Sequence, residues 1–344
     1  MPTIVISDSS TTLSVDQTHF TLRSNGRKIG RIPPGIIDQV VVFHGVDVAR
    51  SALSRLGSMG IPVTFLDRES RVESRLVPAW KFNALPRLGQ AKAFFDPSQR
   101  LLLARRFVHA KLCNAAAILQ QHAGNHPETN LGSIASQIRQ FAASLPNAMT
   151  IAEIMGIEGI AGKQYFSGLS RMIRVEWTEF RGRNRQPPLD PVNAVLSYAY
   201  AVLAHQLMAY LESVGLDPYI GFLHSIELRR PVLALDMMEP FRPVLGDRLM
   251  LRLLNLGTLR QEHFEESRGS GHGIFINYPG RMALLQVFAE WSQSCDEALG
   301  EGFHAPGYWL LKEAERFEKL ARHHTLEQFV PYYLQPRDAE QCPK

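Results

Sequence analysis

The chain has 344 residues, 45% of them hydrophobic and 20% charged, which is close to the average of globular proteins and excludes wholesale disorder. Its 37 basic and 33 acidic residues leave a net charge of +4, so a polyanionic partner must meet a local basic patch. The sequence shows no signal-peptide pattern, no membrane-spanning apolar run, and neither a disulfide framework nor a zinc motif among its three cysteines. We expect a cytoplasmic protein without a membrane partner, and the length favours two domains.

Short β-branched segments separated by turns occupy roughly the first ninety residues and predict strands. Asn25-Gly26 is typical of a two-residue hairpin turn. One helix is predicted within this region, with Asp47 as its N-cap and Gly57 just beyond its last residue. The sequence therefore predicts a small β-rich N-terminal domain over residues 1–92.

The pattern becomes helical from Leu101 onward, where apolar residues recur every three or four positions, as on a buried helical face. Asp190 and Pro191 predict the start of a long helix that ends at Gly215. Residues 93–344 are thus predicted to form a larger, mainly α-helical domain. The predicted fold class is α+β.

Two acidic residues, Asp236 and Glu239, stand among apolar neighbours on a short predicted helix, where a spacing of three places them on one face. Carboxylates in such surroundings are costly unless a partner compensates their charge. A divalent cation is one such partner, and Arg229, Arg230 or Arg242 is another. The D-x-x-E pattern is common by chance, so the spacing leaves both alternatives open.

Glu158 lies beside Gly159, just before a helix predicted to begin near Ala161. It is either an acidic residue favoured by the helix dipole or a metal ligand. Together with His224 and Glu239 it would supply one imidazole nitrogen and two carboxylates, a set suited to Mn²⁺ or Mg²⁺. The three residues are far apart in sequence, so their spacing alone does not establish that they converge.

An arginine-rich segment with interleaved aromatic residues follows the Glu158 region. Arginine suits bidentate phosphate contacts, and nucleic-acid surfaces combine it with aromatic side chains. The alternative is a solvated surface that neighbouring glutamates partly neutralise. The candidate DNA-binding residues are Lys163, Arg171, Arg174, Arg181, Arg183, Arg185, Arg229 and Arg230.

Seven segments spread over nearly the whole chain form a combination that is specific as a set and in this order. They are HGVDVARSALSRLGSMGIPVTFLD, RLLLARRFVHAKLCNAAAIL, MGIEGIAGKQYF, RNRQPPLDPVNAVLSYAYAVL, GLDPYIGFLH, LALDMMEPFRPVLGDRL and FVPYYL. With them the chain resembles the CRISPR-associated protein one family. That family is the endonuclease and integrase of the CRISPR adaptation module, which inserts new spacers.

The resemblance implies metal ligands at Glu158, His224 and Glu239, with Asp236 as a further acidic residue of the catalytic site. It implies Mg²⁺ or Mn²⁺ as the cofactor and double-stranded or branched DNA, the prespacer and the CRISPR repeat, as the substrate. It also implies a homodimer formed through the β-rich domain, and a small companion CRISPR-associated protein of ferredoxin-like fold. Pro240 departs from the helix-friendly residue expected after Glu239, because proline can kink a helix.

From these residues we expect metal-assisted phosphodiester chemistry, with the 3′-OH of a prespacer strand or water as the nucleophile. No covalent protein intermediate is needed, in agreement with the absence of a nucleophile-elbow or Cys–His motif from the sequence. The alternative is a non-catalytic DNA-binding scaffold of the same fold, which a missing ligand would indicate; none is missing. A metal hydrolase of small molecules is a third hypothesis, which the arginine-rich segment disfavours.

Overall fold

The computed structural model describes residues 3–16, 18–37, 39–67, 72–78, 84–184, 187–228, 230–266, 272–293 and 306–334. Strands dominate up to Leu76 and helices from Leu85 onward, which confirms the α+β class. The β-rich part contains β1 (Thr3–Ile6), β2 (Thr11–Val15), β3 (Phe20–Ser24), β4 (Arg27–Ile32), β5 (Gln39–Val42), β6 (Asp47–Val48), α1 (Arg50–Ser58), β7 (Val63–Leu66) and β8 (Val72–Leu76).

The remaining chain is mainly helical and carries one short hairpin. Its elements are α2 (Leu85–Phe95), α3 (Pro97–Asn125), α4 (Leu131–Ser144), α5 (Ile151–Ser170), α6 (Pro191–Val214), α7 (Val232–Met238), α8 (Arg248–Asn255), β9 (Phe264–Glu266), β10 (Ile274–Ile276), α9 (Tyr278–Gln293) and α10 (Pro306–Arg322). Helix α2 contains residue 92, so the change from strands to helices occurs before the predicted domain boundary. The domain boundary itself stays a prediction.

The β-rich part consists of two four-stranded sheets around a small apolar core. One has the order β1-β5-β7-β8, with β8 antiparallel to β7 and the other neighbours parallel. The other has the order β4-β3-β2-β6. Asn25 and Gly26 adopt φ values of 49° and 76° between β3 and β4, which confirms the predicted hairpin turn. The core includes Leu13, Phe20 and Leu56, each at most 2% exposed.

Helix α3 lies in the middle of the helical part, where it contacts both α4 and α5. Its start is fixed by Asp96, whose side chain accepts hydrogen bonds from the backbone N–H groups of Ser98 and Gln99. The face predicted from Leu101 onward is buried at Val108 and Leu112. The same core continues into α6, α7 and α8, so the elements that carry the site residues share one rigid apolar interior.

Helix α6 has the predicted boundaries, since Asp190 accepts a hydrogen bond from the N–H of Asn193 and Gly215 ends the helix with a φ of 92°. Among the described helices it is the one long and apolar enough to cross a membrane. Of that apolar stretch 67% is buried inside the protein, as expected for a core helix.

Three predicted helix boundaries are wrong, namely both ends of α1 and the start of α5. Ala49, not Asp47, occupies the N-cap position of α1 and makes no side-chain capping hydrogen bond, because the backbone of Asp47 pairs with β2 as part of β6. Gly57 lies inside the helix. Helix α5 begins at Ile151, ten residues before the predicted start near Ala161. Its glycines suggest an interruption, yet the helix runs through them without one.

Candidate active site

A fully buried carboxylate, that of Asp236 on α7, holds the segment that precedes α7. It accepts hydrogen bonds from the backbone N–H groups of Phe222 (2.5 Å), Leu223 (2.9 Å) and His224 (3.2 Å). It also accepts one from the imidazole Nδ1 of His224, at 2.6 Å. A Cβ at Gly221 would lie 2.6 Å from Asp236 Oδ2, so glycine is what allows the chain to approach this closely. Asp236 therefore fixes both the backbone and the ring of His224.

The other ring nitrogen of His224, Nε2, lies 3.9 Å from Glu239 Oε1. Glu239 is 3% exposed and keeps helical backbone angles (φ −52°, ψ −46°) directly before Pro240. The carbonyl of Pro240 accepts a hydrogen bond from the Asn114 side chain at 2.8 Å. The proline thus ends α7 without turning the Glu239 carboxylate away from His224.

Glu158 reaches this group through a lysine. The ammonium of Lys111, on α3, contacts Glu158 Oε1 and lies 2.7 Å from Glu239 Oε2. Glu158 is in the middle of α5, so the alternative that it serves as a helix N-terminal residue is wrong. Its side chain is 28% exposed, against 4% for that of Glu239, so Glu158 lies on the solvent side of the cluster.

Charge compensation at Glu239 is strong. Arg242 Nε lies 3.0 Å from Glu239 Oε1, as the alternative of an arginine partner predicted. Burial raises the pKa of Glu239, but Arg242 and Lys111 outweigh burial and lower the pKa to about 2. For Lys111 burial acts in the opposite direction and lowers the pKa. The carboxylates of Glu239 and Glu158 outweigh the effect of burial, so the pKa of Lys111 is raised. Both partners are therefore charged at neutral pH.

Within the described part of the chain, no three His, Cys, Asp or Glu side chains are gathered closely enough to hold a metal ion as they stand. At this site the ammonium of Lys111 lies between the two carboxylates. The donor types nevertheless fit a divalent cation, since an imidazole nitrogen and two carboxylates suit Mn²⁺ or Mg²⁺. His224 is also held by a carboxylate, as metal-binding histidines usually are. The ligand set Glu158, His224 and Glu239 stays a prediction.

A second buried carboxylate, that of Asp247, lies in the chain segment that follows Glu239. It accepts hydrogen bonds from the hydroxyls of Tyr165 (2.7 Å) and Tyr200 (2.5 Å), and burial raises its pKa to about 6. The guanidinium of Arg242 lies 4.5 Å from the centre of the Tyr200 ring. Arg242 and Asp247 are the first and last residues of a π-helical turn, a feature that is frequent at functional sites.

The predicted DNA-binding residues differ in what their side chains contact. Lys163 is exposed on α5, and Arg181 is exposed in an ion pair with Glu179 at 2.8 Å. Arg230 pairs with Glu227 at the same distance. Salt bridges at such exposed positions are weak and open readily for a phosphate. Two further candidates, Arg185 and Arg229, lie outside the described residues.

Arg171 and Arg174 project from the end of α5 and the chain after it, and both are exposed. Arg171 donates a hydrogen bond to the carbonyl of Thr129 at 2.9 Å. The Arg174 guanidinium lies 2.8 Å from His126 Nε2. These contacts hold the two cations near each other on one surface.

Arg183 is the most constrained of the described candidates. It donates hydrogen bonds to Asn193 Oδ1 (2.8 Å) and Ser197 Oγ (3.0 Å), both on α6, and its guanidinium lies 5.5 Å from the Tyr200 ring centre. These contacts fasten the arginine-rich segment to α6, which is a structural role. Its part in DNA binding stays a prediction.

Comparison with known proteins identifies the family. A family model described as CRISPR associated protein Cas1 matches residues 4–290. This chain belongs to the Cas1 family. A CRISPR-associated endonuclease Cas1 from Rhodospirillum rubrum is 34% identical over 298 residues, which cover 84% of this chain and 85% of that protein. One from Thermus thermophilus is 33% identical over 346 residues, which cover 96% and 99%.

Solved structures show the same fold. A Cas1 protein from Thermotoga maritima superposes with a TM-score of 0.74 at 25% identity, covering 93% of this chain and 97% of that one. A casposase bound to its integration product gives 0.79 at 20% identity, covering 100% and 96%. A chain of a partial Cas6-RT-Cas1–Cas2 complex gives 0.72 at 20% identity, covering 96% and 98%. The latter two, at this identity, show the fold alone.

The sequence alone did not assign Lys111, Tyr165, Tyr200 or Asp247 to the site of this Cas1 family member. For Lys111 a signal was present, since it lies four residues after the buried Phe107 and therefore on the apolar face of α3. A cation on such a face needs a buried partner. The sequence does not say which one, because both carboxylates belong to other helices.

Proposed function

We propose that this protein is a divalent-metal-dependent DNA endonuclease and integrase of CRISPR adaptation, which inserts prespacer DNA into the repeat array. The observation that carries the proposal is one chain of contacts: His224 Nε2 lies 3.9 Å from Glu239, Lys111 links Glu239 to Glu158, and Asp236 fixes the imidazole. The relatives named Cas1 endonucleases support the nuclease activity, and the structural likeness to an integrating casposase supports strand transfer.

Glu158, His224 and Glu239 would hold Mg²⁺ or Mn²⁺. Asp236 accepts a hydrogen bond from the Nδ1–H group of His224. The proton therefore stays on Nδ1, and the lone pair is on Nε2, the nitrogen that lies toward Glu239. The bound ion would polarise the scissile phosphate and stabilise charge that develops on the leaving 3′ oxygen. The chain's own residues orient the ligands and exclude water around the 3%-exposed Glu239.

The nucleophile comes from outside the protein. When it is the 3′-OH of a prespacer strand, the product is a strand joined to the repeat; when it is water, the product is a cleaved strand. One site therefore accounts for both integration and endonuclease activity, without a covalent bond to the protein.

For DNA contact we propose the exposed cations Lys163, Arg171, Arg174 and Arg181 together with the partly exposed Arg230, since their charged groups are within reach of solvent or in surface ion pairs. Such contacts position the duplex through its phosphates and make binding depend steeply on salt. Arg185 and Arg229 remain candidates on sequence grounds.

The assembly we propose is a homodimer formed through the β-rich N-terminal part, working in the cytoplasm with a small companion protein of ferredoxin-like fold. The likeness to a chain from a Cas1–Cas2 complex supports the companion. The resemblance to the CRISPR-associated protein one family supports the dimer.

The test is a half-site integration assay with a branched DNA, run with the full chain in Mn²⁺ and again in chelator. We expect His224→Ala and Glu158→Ala to lose strand transfer at least a hundredfold, and chelator to abolish it in the wild type. Matched substitutions at exposed positions, His323→Ala and Glu262→Ala, should leave it unchanged. Wild-type rates in either site variant, or activity that resists chelator, would favour the non-catalytic scaffold or a different site.

A further inference from the structure

Lys111 holds a position that none of the predicted roles explains. It is on α3, its side chain is 15% exposed, and its ammonium contacts both Glu158 and Glu239, with 2.7 Å between Nζ and Glu239 Oε2. These two carboxylates come from α5 and from the end of α7, and both belong to the predicted ligand set. The lysine therefore joins the ligands at the place where a metal would join them.

We infer that the Lys111 ammonium is a built-in competitor of the divalent cation: it keeps the two carboxylates together in the metal-free protein and must withdraw when the cation binds. The inference rests on the proposed function, since it concerns the same ligands. It makes Lys111 a positioning residue that sets metal affinity, in addition to the ligands themselves.

The ammonium contacts one oxygen of each carboxylate, so a divalent cation held between these two oxygens has to replace it. A divalent cation of this kind binds oxygen ligands at about 2.1 Å, and the ammonium already lies 2.7 Å from one of the oxygens it would need. Glu158 Oε1, the oxygen on the other side, is also in contact with Nζ. The two cations therefore compete for the same pair of oxygens.

Charge gives the same result. With Lys111 and Arg242 in place, the two positive charges balance the carboxylates of Glu158 and Glu239, so this pair attracts an entering divalent cation only weakly. Withdrawal of one ammonium restores a net negative charge, which favours cation binding. Lysine is the partner able to leave, because its stem is flexible and its head is a strongly hydrated point charge. Arg242 is held between Glu239 and the ring of Tyr200.

The test compares Mn²⁺ binding by the wild type, Lys111→Met and Lys111→Gln, using calorimetry or the electron paramagnetic resonance signal of free Mn²⁺, without DNA. We expect both variants to bind Mn²⁺ at least tenfold more tightly. Lys92→Met removes an exposed lysine from α2 and should leave the affinity unchanged. Glutamine removes the charge of Lys111 but keeps a hydrogen-bond donor. If Lys111→Met folds poorly, Lys111→Gln therefore still allows the Mn²⁺ affinity to be measured without the ammonium.

Thermal unfolding supplies the second readout. In chelator the variants should unfold at a lower temperature than the wild type, because without Lys111 the carboxylates of Glu158 and Glu239 repel each other. Added Mn²⁺ should raise the melting temperature of the variants by more than it raises that of the wild type. Equal or weaker Mn²⁺ binding in folded variants, with normal binding by the wild type, would overturn the inference and leave the proposed function standing. Absence of Mn²⁺ binding in all of these proteins would overturn both. Binding by the variants alone would support the inference.

Discussion

Replacing Asp236 by asparagine changes one atom of a fully buried group and tests how the imidazole is held. The carboxylate accepts from Phe222 and Leu223 through Oδ2, and from the backbone and ring of His224 through Oδ1. An amide has a single oxygen, so it can serve one of these two pairs. The other pair then faces an NH₂ group, which donates and cannot accept.

Each orientation of the amide has a cost. If the amide oxygen faces Phe222 and Leu223, its NH₂ lies against His224, whose Nδ1 must then accept; the ring proton moves to Nε2 and the lone pair toward Glu239 is lost. If the amide turns over, two buried backbone N–H groups lose their acceptor. A buried unsatisfied donor costs about 1–3 kcal/mol, so we expect the free energy of unfolding to fall by roughly 2–4 kcal/mol.

We further expect Mn²⁺ affinity and strand transfer to fall about 10–100-fold, the usual effect of losing the partner of a metal-binding histidine. Urea unfolding in chelator, calorimetric Mn²⁺ titration and the half-site assay measure the three quantities. Asp47→Asn, an equivalent change at an exposed residue of β6, is the matched control. An Asp236→Asn protein that keeps wild-type affinity, rate and stability would refute the reasoning that this carboxylate sets the ring's proton position.

Three further changes test other parts of the structure. Gly221→Ala places a Cβ 2.6 Å from Asp236 Oδ2 and should lower the free energy of unfolding by about 1–3 kcal/mol and slow strand transfer, whereas normal values in both assays would mean that the turn relaxes freely. Burial raises the pKa of Glu313 from 4.5 to about 7, so the fold favours the protonated acid, and urea unfolding should show stability falling by about 3 kcal/mol as pH rises from 4.5 to 7. Glu313→Gln should lack this part of the decline, and parallel curves for the two proteins would contradict the assignment. Arg181→Ala should weaken DNA binding and reduce the slope of log K against log salt by about 1, and an unchanged slope would exclude a phosphate contact there.

The parts of the fold that the sequence predicted correctly depend on local chemistry. Asn25-Gly26 can form its turn without help from the rest of the chain, and Asp190 and Gly215 satisfy the ends of α6 with their own atoms. The boundaries that it missed depend on tertiary partners. Asp47 has the right side chain for a helix cap but pairs with another strand, and α5 tolerates glycines because its opposite face is packed into the core.

The candidate site divides in the same way. Asp236 and Glu239 could be recognised as a pair because they share one short helix, and His224 lies only twelve residues before Asp236. Glu158 could be singled out as a candidate ligand from its surroundings in the sequence, but only the resemblance to a family favoured its convergence with His224 and Glu239. Lys111 could be recognised as a cation on an apolar face, but its partners were beyond reach, because contacts between α3, α5 and the end of α7 exist only in the folded chain.

Glu158 and Glu239 belong to different elements, and the core links these elements behind the contact that Lys111 makes with both carboxylates. The link is the carboxylate of Asp247. Tyr165 lies seven residues after Glu158 on α5, two turns along the same face, and donates to the buried Asp247 carboxylate, which Tyr200 on α6 also bonds. Asp247 ends the π-helical turn that follows Glu239, so one carboxylate ties the helix of the first ligand to the chain segment of the second. Because this frame lies in the core, we expect it to hold the two ligand-bearing segments in place when the Lys111 ammonium withdraws for a divalent cation.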